Sequence, residues 1–411
     1  MRPLSDAQRD VLEACPRLPS EPTDLEQSLG LVLAEPVTAP HPVPPFANSA
    51  MDGYALRAAD TKTVPARLPV LEDVPAGHVA HGEVRAGTAI KIMTGAPLPP
   101  GADAVVKVED TESGNGEVIV RVPVDPGEAV RPAGSDLVAG QIVLESGTRL
   151  GPAHLGVLAS VGAAKPVVGR RPRVAVLSTG DELVPPETAQ LKPGQIRDTN
   201  RILLRGLCAE LGVEVLDLGI IPDDADLLRE TLTKAAAEAD AVLTSGGVSM
   251  GEYDLVKAVL TELGGVEFWK VAMQPAKPFA FGLIDGSPFF GLPGNPVSVM
   301  VAFEQFTRPA LLSMMGAELL FRPRVPGILT EAVTTDNSKT VFLRAWVELR
   351  SGRWEAGLSG GQSSHMLSAL AASTGFMVIP AGVGDVEAGA EVEIEMFTWP
   401  ESRRREEVLD G

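Results

Sequence analysis

The sequence predicts a multidomain α/β protein whose middle part is a parallel sheet covered by helices on both faces, with a β-rich portion on either side. Three observations carry this expectation. Residues 173–312 alternate short apolar strands with helices, and strands joined through helices pair in parallel and are buried on both faces. Val-rich runs broken by Gly and Pro fill about 63–142, and another β-rich stretch follows Pro323. At 411 residues the chain exceeds one compact core, so roughly three or four domains are expected.

The first forty residues read as a helix with Leu12 near its centre, a loop from Pro16 to Pro22 and a short helix near Asp24 to Leu29. Prolines at 36, 40, 42, 44 and 45 then hold the chain extended. That arm delivers Phe46 to Ala55 onto a surface. In the β-domain, Asp103–Glu109 and Gly116–Val122 are the clearest strands, and Thr148–Gly162 reads as a helix with Pro152 in its first turn.

From Arg173 the period changes. Val174–Leu177 is a buried strand, Thr199–Leu211 a helix stopped by Gly212, and Val213–Leu218 a strand. Leu227–Glu238 and Leu255–Leu263 read as helices, Ala241–Thr244, Val266–Val271 and Phe289–Leu292 as strands, and Pro296–Leu312 as a closing helix. Thr340–Glu348 and Glu391–Met396 are strands of the last portion, and a charged tail runs through Arg403-Arg-Arg405.

Composition narrows the function. The chain is 45% hydrophobic and 22% charged, with a formal net charge of −19. Such a balance argues against nucleic acid or an anionic membrane as partner, because both reward a basic face. Cys15 and Cys208 stand alone without CxxC spacing, which points to neither a disulfide framework nor a zinc site. No apolar leader or membrane-length run is present, so a cytoplasmic protein is expected.

The most informative segment is Ala241-Val-Leu-Thr-Ser-Gly-Gly-Val-Ser-Met-Gly-Glu-Tyr-Asp254, echoed by Gly291-Leu-Pro-Gly-Asn-Pro-Val-Ser298. Each reads as a buried strand opening into a tight loop before a helix. Gly246, Gly247, Ser249 and Asn295 would there expose backbone N–H groups suited to an anion such as phosphate. Acids also follow strands: Asp181 and Glu182 after Ser178-Thr-Gly180, Asp223 and Asp224 after Gly219-Ile-Ile-Pro222, and Asp254 after the first glycine loop. Beside a phosphate they would repel it unless a divalent cation such as Mg²⁺ bridged them; taken singly, a helix cap is the better account of each, of Asp223 or Asp224 especially. Lys270 and Lys277 flank a proline-stiffened turn and offer neutralising charge, or are solvated surface lysines. Asp52 and Thr94 sit in turns that present polar groups outward, with a local Asx-type turn as the plainer account.

His78 and His81 lack a third ligand in sequence, the glycine loops lack the Lys-Ser/Thr ending of a P-loop, and no dinucleotide fingerprint follows Val174–Leu177. No suitably flanked Ser supports a nucleophile elbow.

Taken together, Pro45-Phe-Ala-Asn-Ser-Ala-Met-Asp-Gly-Tyr-Ala55, Ile92-Met-Thr-Gly-Ala96, Ser178-Thr-Gly-Asp-Glu-Leu183, Asp198-Thr-Asn200, Ser245-Gly-Gly-Val-Ser249 and Gly291–Ser298 resemble, in the same order, the molybdopterin molybdenumtransferases, also called the MoeA or gephyrin E-domain family. The resemblance runs from about Leu12 to Met396. It implies an elongated N-terminal region (1–52 with 139–170), an inserted β-domain (53–138), a central α/β molybdopterin-binding domain (171–320), a C-terminal β-barrel (321–400) and a charged tail (401–411). It implies molybdenum insertion from molybdate into adenylylated molybdopterin, with release of AMP and Mg²⁺ present.

Carried over by motif, the resemblance gives Asp52, Thr94, Glu182, Asp223 and Asp254 catalytic positions. Glu182 and Asp254 would serve the metal. Asp136, Lys270, Lys277, Pro293 and Pro296 match ligand-facing positions. Gln274 departs from the family, where a lysine is frequent, and Ala276 stands where glycine is common. The resemblance further implies a homodimer whose cleft takes Asp52 from the second subunit. The pathway's adenylyltransferase and molybdoenzyme chaperones are the candidate protein partners. The alternatives are the adenylyltransferase itself, which lacks the Met51-Asp-Gly-Tyr54 arm, and a non-enzymatic scaffold, which would need an added domain.

Overall fold

The computed structural model describes residues 1–246, 255–399, 401, 405 and 409. The chain opens with helix α1 (Leu4–Ala14), which buries Ala7 and Val11, four residues apart on one face. Just before it, the Arg2 N–H donates to the Lys270 carbonyl, and the Arg2 carbonyl accepts from Ala272, each at 2.8 Å. The N-terminus thereby extends the edge of the central sheet.

The proline arm leads outward and its return strands run back beside it. Ser20–Pro22 pairs with Val167–Gly169, Val37–Thr38 with Ile142–Leu144, and Asn48–Ser49 with Val130–Arg131, all antiparallel. Between these ladders lies a six-stranded sheet made of β1 (Gly53–Leu56), β2 (Ala66–Val74), β3 (Ala89–Ile92), β4 (Ala104–Lys107), β5 (Thr111–Gly114) and β6 (Glu117–Val120). Its strand order is β4-β1-β3-β2-β6-β5. The two faces of β1 bury Tyr54 and Leu56 on one side and Ala55 on the other, the period-two alternation expected of a strand. Helix α2 (Pro152–Ser160) then leads to the central unit.

The central sheet contains β7 (Arg173–Thr179), β8 (Glu214–Ile221), β9 (Ala241–Ser245), β10 (Val266–Lys270), β12 (Pro278–Ile284) and β13 (Ser287–Leu292), in the order β8-β7-β9-β13-β12-β10. The two-residue strand β11 (Met273–Gln274) lies in the turn between β10 and β12. Four strands pair in parallel, and the reversed strand β12 pairs antiparallel with both β13 and β10 to close one edge. Strand β12 is absent from the sequence reading because it starts at Pro278, in a stretch dominated by Lys-Pro turn signals.

Along β7, Val174 and Val176 face the core shared with α3 (Asn200–Leu211), while Ala175 and Leu177 face α4 (Ala225–Glu238) and α5 (Leu255–Leu263). Two covered faces explain the continuous apolar run. On the first face Phe279 stacks on Phe306 with ring centroids 4.3 Å apart; each such fully buried ring contributes about 1.5–3 kcal/mol. The closing helix is divided into α6 (Pro296–Ala302), a π-helical turn (Phe303–Thr307) and α7 (Arg308–Met314).

The last unit is a closed barrel of five strands: β14 (Arg324–Leu329), β15 (Thr340–Arg350), β16 (Arg353–Leu358), β17 (Gly375–Ile379) and β18 (Glu391–Met396). Pairing runs β15-β16-β14-β18-β17 and returns from β17 to β15. Helix α8 (Leu367–Ala371) lies between β16 and β17. Strand β11 pairs in parallel with the start of β15, Met273 opposite Thr340 and Gln274 opposite Val341. No helix among the described residues is long and apolar enough to cross a membrane.

Candidate functional site

Two cavities meet around the second glycine loop. The first, of about 670 Å³, lies between the central unit and the barrel, with the Met273–Pro278 turn, Pro293, Asn295 and Ser298 on one side and Thr335, Lys339, Phe342 and Gln362 on the other. The second, of about 560 Å³, opens at the carboxyl ends of the parallel strands and is lined by Thr179, Glu182, Asn200, Ser245, Gly246 and Gly294–Pro296, with His365 reaching in from the barrel. Open α/β sheets place ligands at this end. Asn295 stands in the wall of both.

Backbone geometry shapes both. Gly246 has φ +93°, and a Cβ there would lie 3.1 Å from the Thr179 carbonyl, so a side chain would be strained and crowded. In the turn after β10, Ala276 holds φ +69° and the Gln274–Pro275 bond is cis. The Val271 N–H donates to the Lys277 carbonyl at 2.9 Å, which leaves the Lys277 side chain exposed at the first cavity. The barrel loop closes over this region: the Ser364 carbonyl accepts from the Val297 N–H at 3.2 Å, and Ser363 Oγ lies 2.9 Å from His365 Nδ1.

Behind that loop sits a residue the sequence reading missed. Arg344, 1% exposed, donates from its guanidinium to the Gly361 carbonyl at 2.6 Å and the Ser363 carbonyl at 3.2 Å. Gln362 brackets it by accepting from the Arg344 N–H and donating to the Arg344 carbonyl. Among the described residues no carboxylate pairs with it, and burial pulls its pKa below the ordinary arginine value. A buried, uncompensated cation raises the local affinity for an anion. The available signal was an arginine inside the apolar run Val341–Val347.

The sequence-predicted residues divide into groups. Glu182, Gly246, Asn295 and Pro296 line the second cavity, and Lys277, Pro293 and Asn295 the first. Asp223 is exposed, and its N–H donates to the Asp181 carboxylate at 3.1 Å. Asp224 is the helix cap that local chemistry favours, accepting from the Leu227 N–H at 2.9 Å. Lys270 is exposed on the edge strand β10. Asp136 is exposed on a loop where its N–H donates to the Val43 carbonyl at 3.0 Å. None of these four lines either cavity.

Asp52, just before β1, and Thr94, just after β3, likewise line neither cavity, but they contact each other. Thr94 donates to one Asp52 oxygen from its backbone N–H at 2.7 Å and its hydroxyl at 2.9 Å. Those bonds hold the Asp52 carboxyl below the usual aspartate range. Gly247, Ser249 and Asp254 lie outside the described residues.

Residues 2–162 match the family described as MoeA N-terminal region (domain I and II), 175–313 the probable molybdopterin binding domain, and 326–397 the MoeA C-terminal region (domain IV). The chain is 41% identical over 404 residues to molybdopterin molybdenumtransferase 2 of Mycobacterium tuberculosis, covering 96% of this chain and 99% of the relative. The chain belongs to the MoeA family. The molybdopterin molybdenumtransferase of Haemophilus influenzae is 39% identical, with 97% and 99% covered. Among solved structures, the molybdopterin biosynthesis moeA protein of Pyrococcus horikoshii superposes with a TM-score of 0.81 at 32% identity, over 97% of this chain and 100% of that one. The breaks between matched stretches fall at the connections from α2 to β7 and from α7 to β14, so the MoeA pattern follows the units of the fold.

Proposed function

We propose that this MoeA-family chain inserts molybdenum from molybdate into adenylylated molybdopterin with release of AMP, the last step of molybdenum-cofactor biosynthesis. The relatives named molybdopterin molybdenumtransferase support this reading over near-complete length. The carrying observation is the pair of cavities joined at Asn295. The strand-end cavity, with its glycine-loop backbone and Glu182, suits a pterin bearing a phosphate chain. The neighbouring cavity, with Lys277, Lys339 and the Arg344 loop on its walls, suits a small oxyanion. Two ligands held side by side react through positioning and charge neutralisation.

In the second cavity Glu182 offers one carboxylate that could take part in holding Mg²⁺. Among the described residues no cluster of three acidic, His or Cys side chains could hold a metal by itself. One or two carboxylates supplemented by substrate phosphate oxygens is, however, the usual Mg²⁺ arrangement. Glu182 would hold the ion together with Asp254. When bound, it would draw charge from the phosphate oxygens and favour departure of AMP.

Asp52 and Thr94 line neither cavity of their own chain, which supports a homodimer in which a second copy supplies them. Asp136, Asp223, Lys270, Gly247 and Ser249 are the further proposed ligand contacts. A cytoplasmic location, delivery by the adenylyltransferase and onward transfer to molybdoenzyme chaperones belong to the same reading. The test is AMP release from adenylylated molybdopterin with Mg²⁺, with and without molybdate. Release stimulated by molybdate is expected; binding without release in either condition would remove the enzymatic reading and favour a scaffold.

A further inference from the structure

Asn200 opens helix α3, and its side-chain Nδ2 donates to the Gly294 carbonyl at 2.6 Å. Its Oδ1 is buried and has no hydrogen-bond partner among the described residues. The carbonyl of Gly294 can only accept, so the amide group must turn its NH₂ toward it, and the orphaned oxygen is the consequence. An orphaned buried acceptor is unfavourable, and the Gly294 contact is the side chain's compensating bond.

The anchor beneath Asn200 is firm. Asp198, 1% exposed, accepts from Ser178 Oγ at 3.0 Å on β7 and from the Arg201 N–H and Nε at 3.2 and 2.8 Å. Arg201 also donates to Asp217 on β8 at 2.7 Å. The start of α3 is therefore tied to two sheet strands. The Gly294–Asn295–Pro296 turn has no side-chain cap from Asn295 on α6; its own links are the Asn295 carbonyl accepting from the Val299 N–H at 3.0 Å and the adjacent Val297 N–H donating to Ser364.

We infer that Asn200 is a positioning residue that fixes the wall shared by the two cavities, by holding Gly294 so that Asn295 faces both. Asn200 itself lines the second cavity only, yet its effect reaches the first through Asn295. The role assigned to the two cavities rests on the function proposed above; the positioning itself does not.

The experiment compares wild type with Asn200→Asp and Asn200→Ser. The Asp side chain is nearly isosteric but sets a carboxylate oxygen against the Gly294 carbonyl oxygen, whereas Ser is too short to reach. Amide exchange over residues 291–299 in the ligand-free protein is expected to quicken about tenfold in both variants while the melting temperature stays close to wild type. The dissociation constants for adenylylated molybdopterin and for molybdate are each expected to rise roughly ten- to a hundredfold, with kcat changed less.

Unchanged exchange over 291–299 would overturn the inference, and so would weakening of the pterin ligand alone. If Asn200→Asp fails to fold, Asn200→Ser is judged by the same exchange criterion. If wild type binds neither ligand, the proposed function falls and the exchange measurement alone decides the positioning role.

Discussion

The Asp52 carboxylate takes two hydrogen bonds from one residue, the backbone N–H and the hydroxyl of Thr94, both to the same oxygen. Among the described residues nothing donates to its other oxygen. Thr94→Val keeps the backbone bond and deletes the hydroxyl. The Asp52 pKa, held low chiefly by the backbone bond and then by the hydroxyl, should rise toward the ordinary value without reaching it. A depressed carboxylate stabilises the fold above its unfolded pKa and loses that contribution as pH falls through the folded pKa. That loss should therefore begin at higher pH in the variant. Carboxyl-carbon NMR titration measures this directly, and an unmoved titration would mean the hydroxyl is irrelevant.

Glu304, 2% exposed in the π-helical turn, pairs through both oxygens with Arg322 at 3.0 Å. Glu304→Gln leaves Arg322 and the adjacent, mostly buried Arg308 short of a counter-charge. A loss of about 3–5 kcal/mol is expected. Urea melts check this, and a loss below about 1 kcal/mol would show that Glu210, 3.0 Å from Arg322, suffices.

Glu395, 3% exposed, accepts from Gln305 at 2.6 Å and from Arg324 at 3.2 Å. Burial raises its pKa above the ordinary glutamate value despite Arg324. A group raised in this way contributes stability that is complete below the unfolded pKa and is lost as pH rises through the folded pKa. Relative to Glu395→Gln, wild type should gain stability as pH is lowered from neutrality toward the ordinary glutamate range. Paired melts across that range measure the difference, and a parallel pH dependence would contradict it.

Both cysteines are buried, and burial pushes each thiol up to about 12. At neutral pH roughly one thiol in 10⁵ would be ionised. Native protein should leave Cys15 and Cys208 unmodified by a thiol reagent for as long as it stays folded, and denaturant should release both. Fast native modification would mean that the end of α1 beside Cys15, or α3 around Cys208, opens locally.

Ala276 is 3% exposed at φ +69°, a conformation that costs an L-residue about 1–2 kcal/mol. Ala276→Gly relieves this but adds unfolded-state freedom of about 0.4–1 kcal/mol, so a net gain between about zero and about 1.6 kcal/mol is expected. Ala276→Val, β-branched and crowded, should lose more than about 2 kcal/mol. Thermal melts of the two variants separate strain from packing.

Much of the central unit was legible because its strands and helices are signalled locally. Helix α5, which its apolar spacing suggests, ends at Leu263 as expected, and Gly212 ends α3 in the left-handed conformation that favours glycine. The antiparallel edge was not legible, since the Pro278 strand is defined by pairing with β10 and β13 rather than by its own residues. The π-helical turn also escaped, because Phe303–Thr307 carries no Pro or Gly to mark it. Within the site, Glu182 and Lys277 sit where strand ends and turns suggest. Arg344 required the tertiary contact of its barrel loop with the glycine-loop helix, which no spacing in sequence records.

The two-residue ladder of Met273 and Gln274 on Thr340 and Val341 makes one turn a member of both the central unit and the barrel. A tilt of the barrel wide enough to enlarge the first cavity would have to break that ladder together with the Val297–Ser364 and Gln305–Glu395 hydrogen bonds, which also join the two units. The barrel is thus held to the central unit by several bonds that must give way together, and it does not hang on a single free linker.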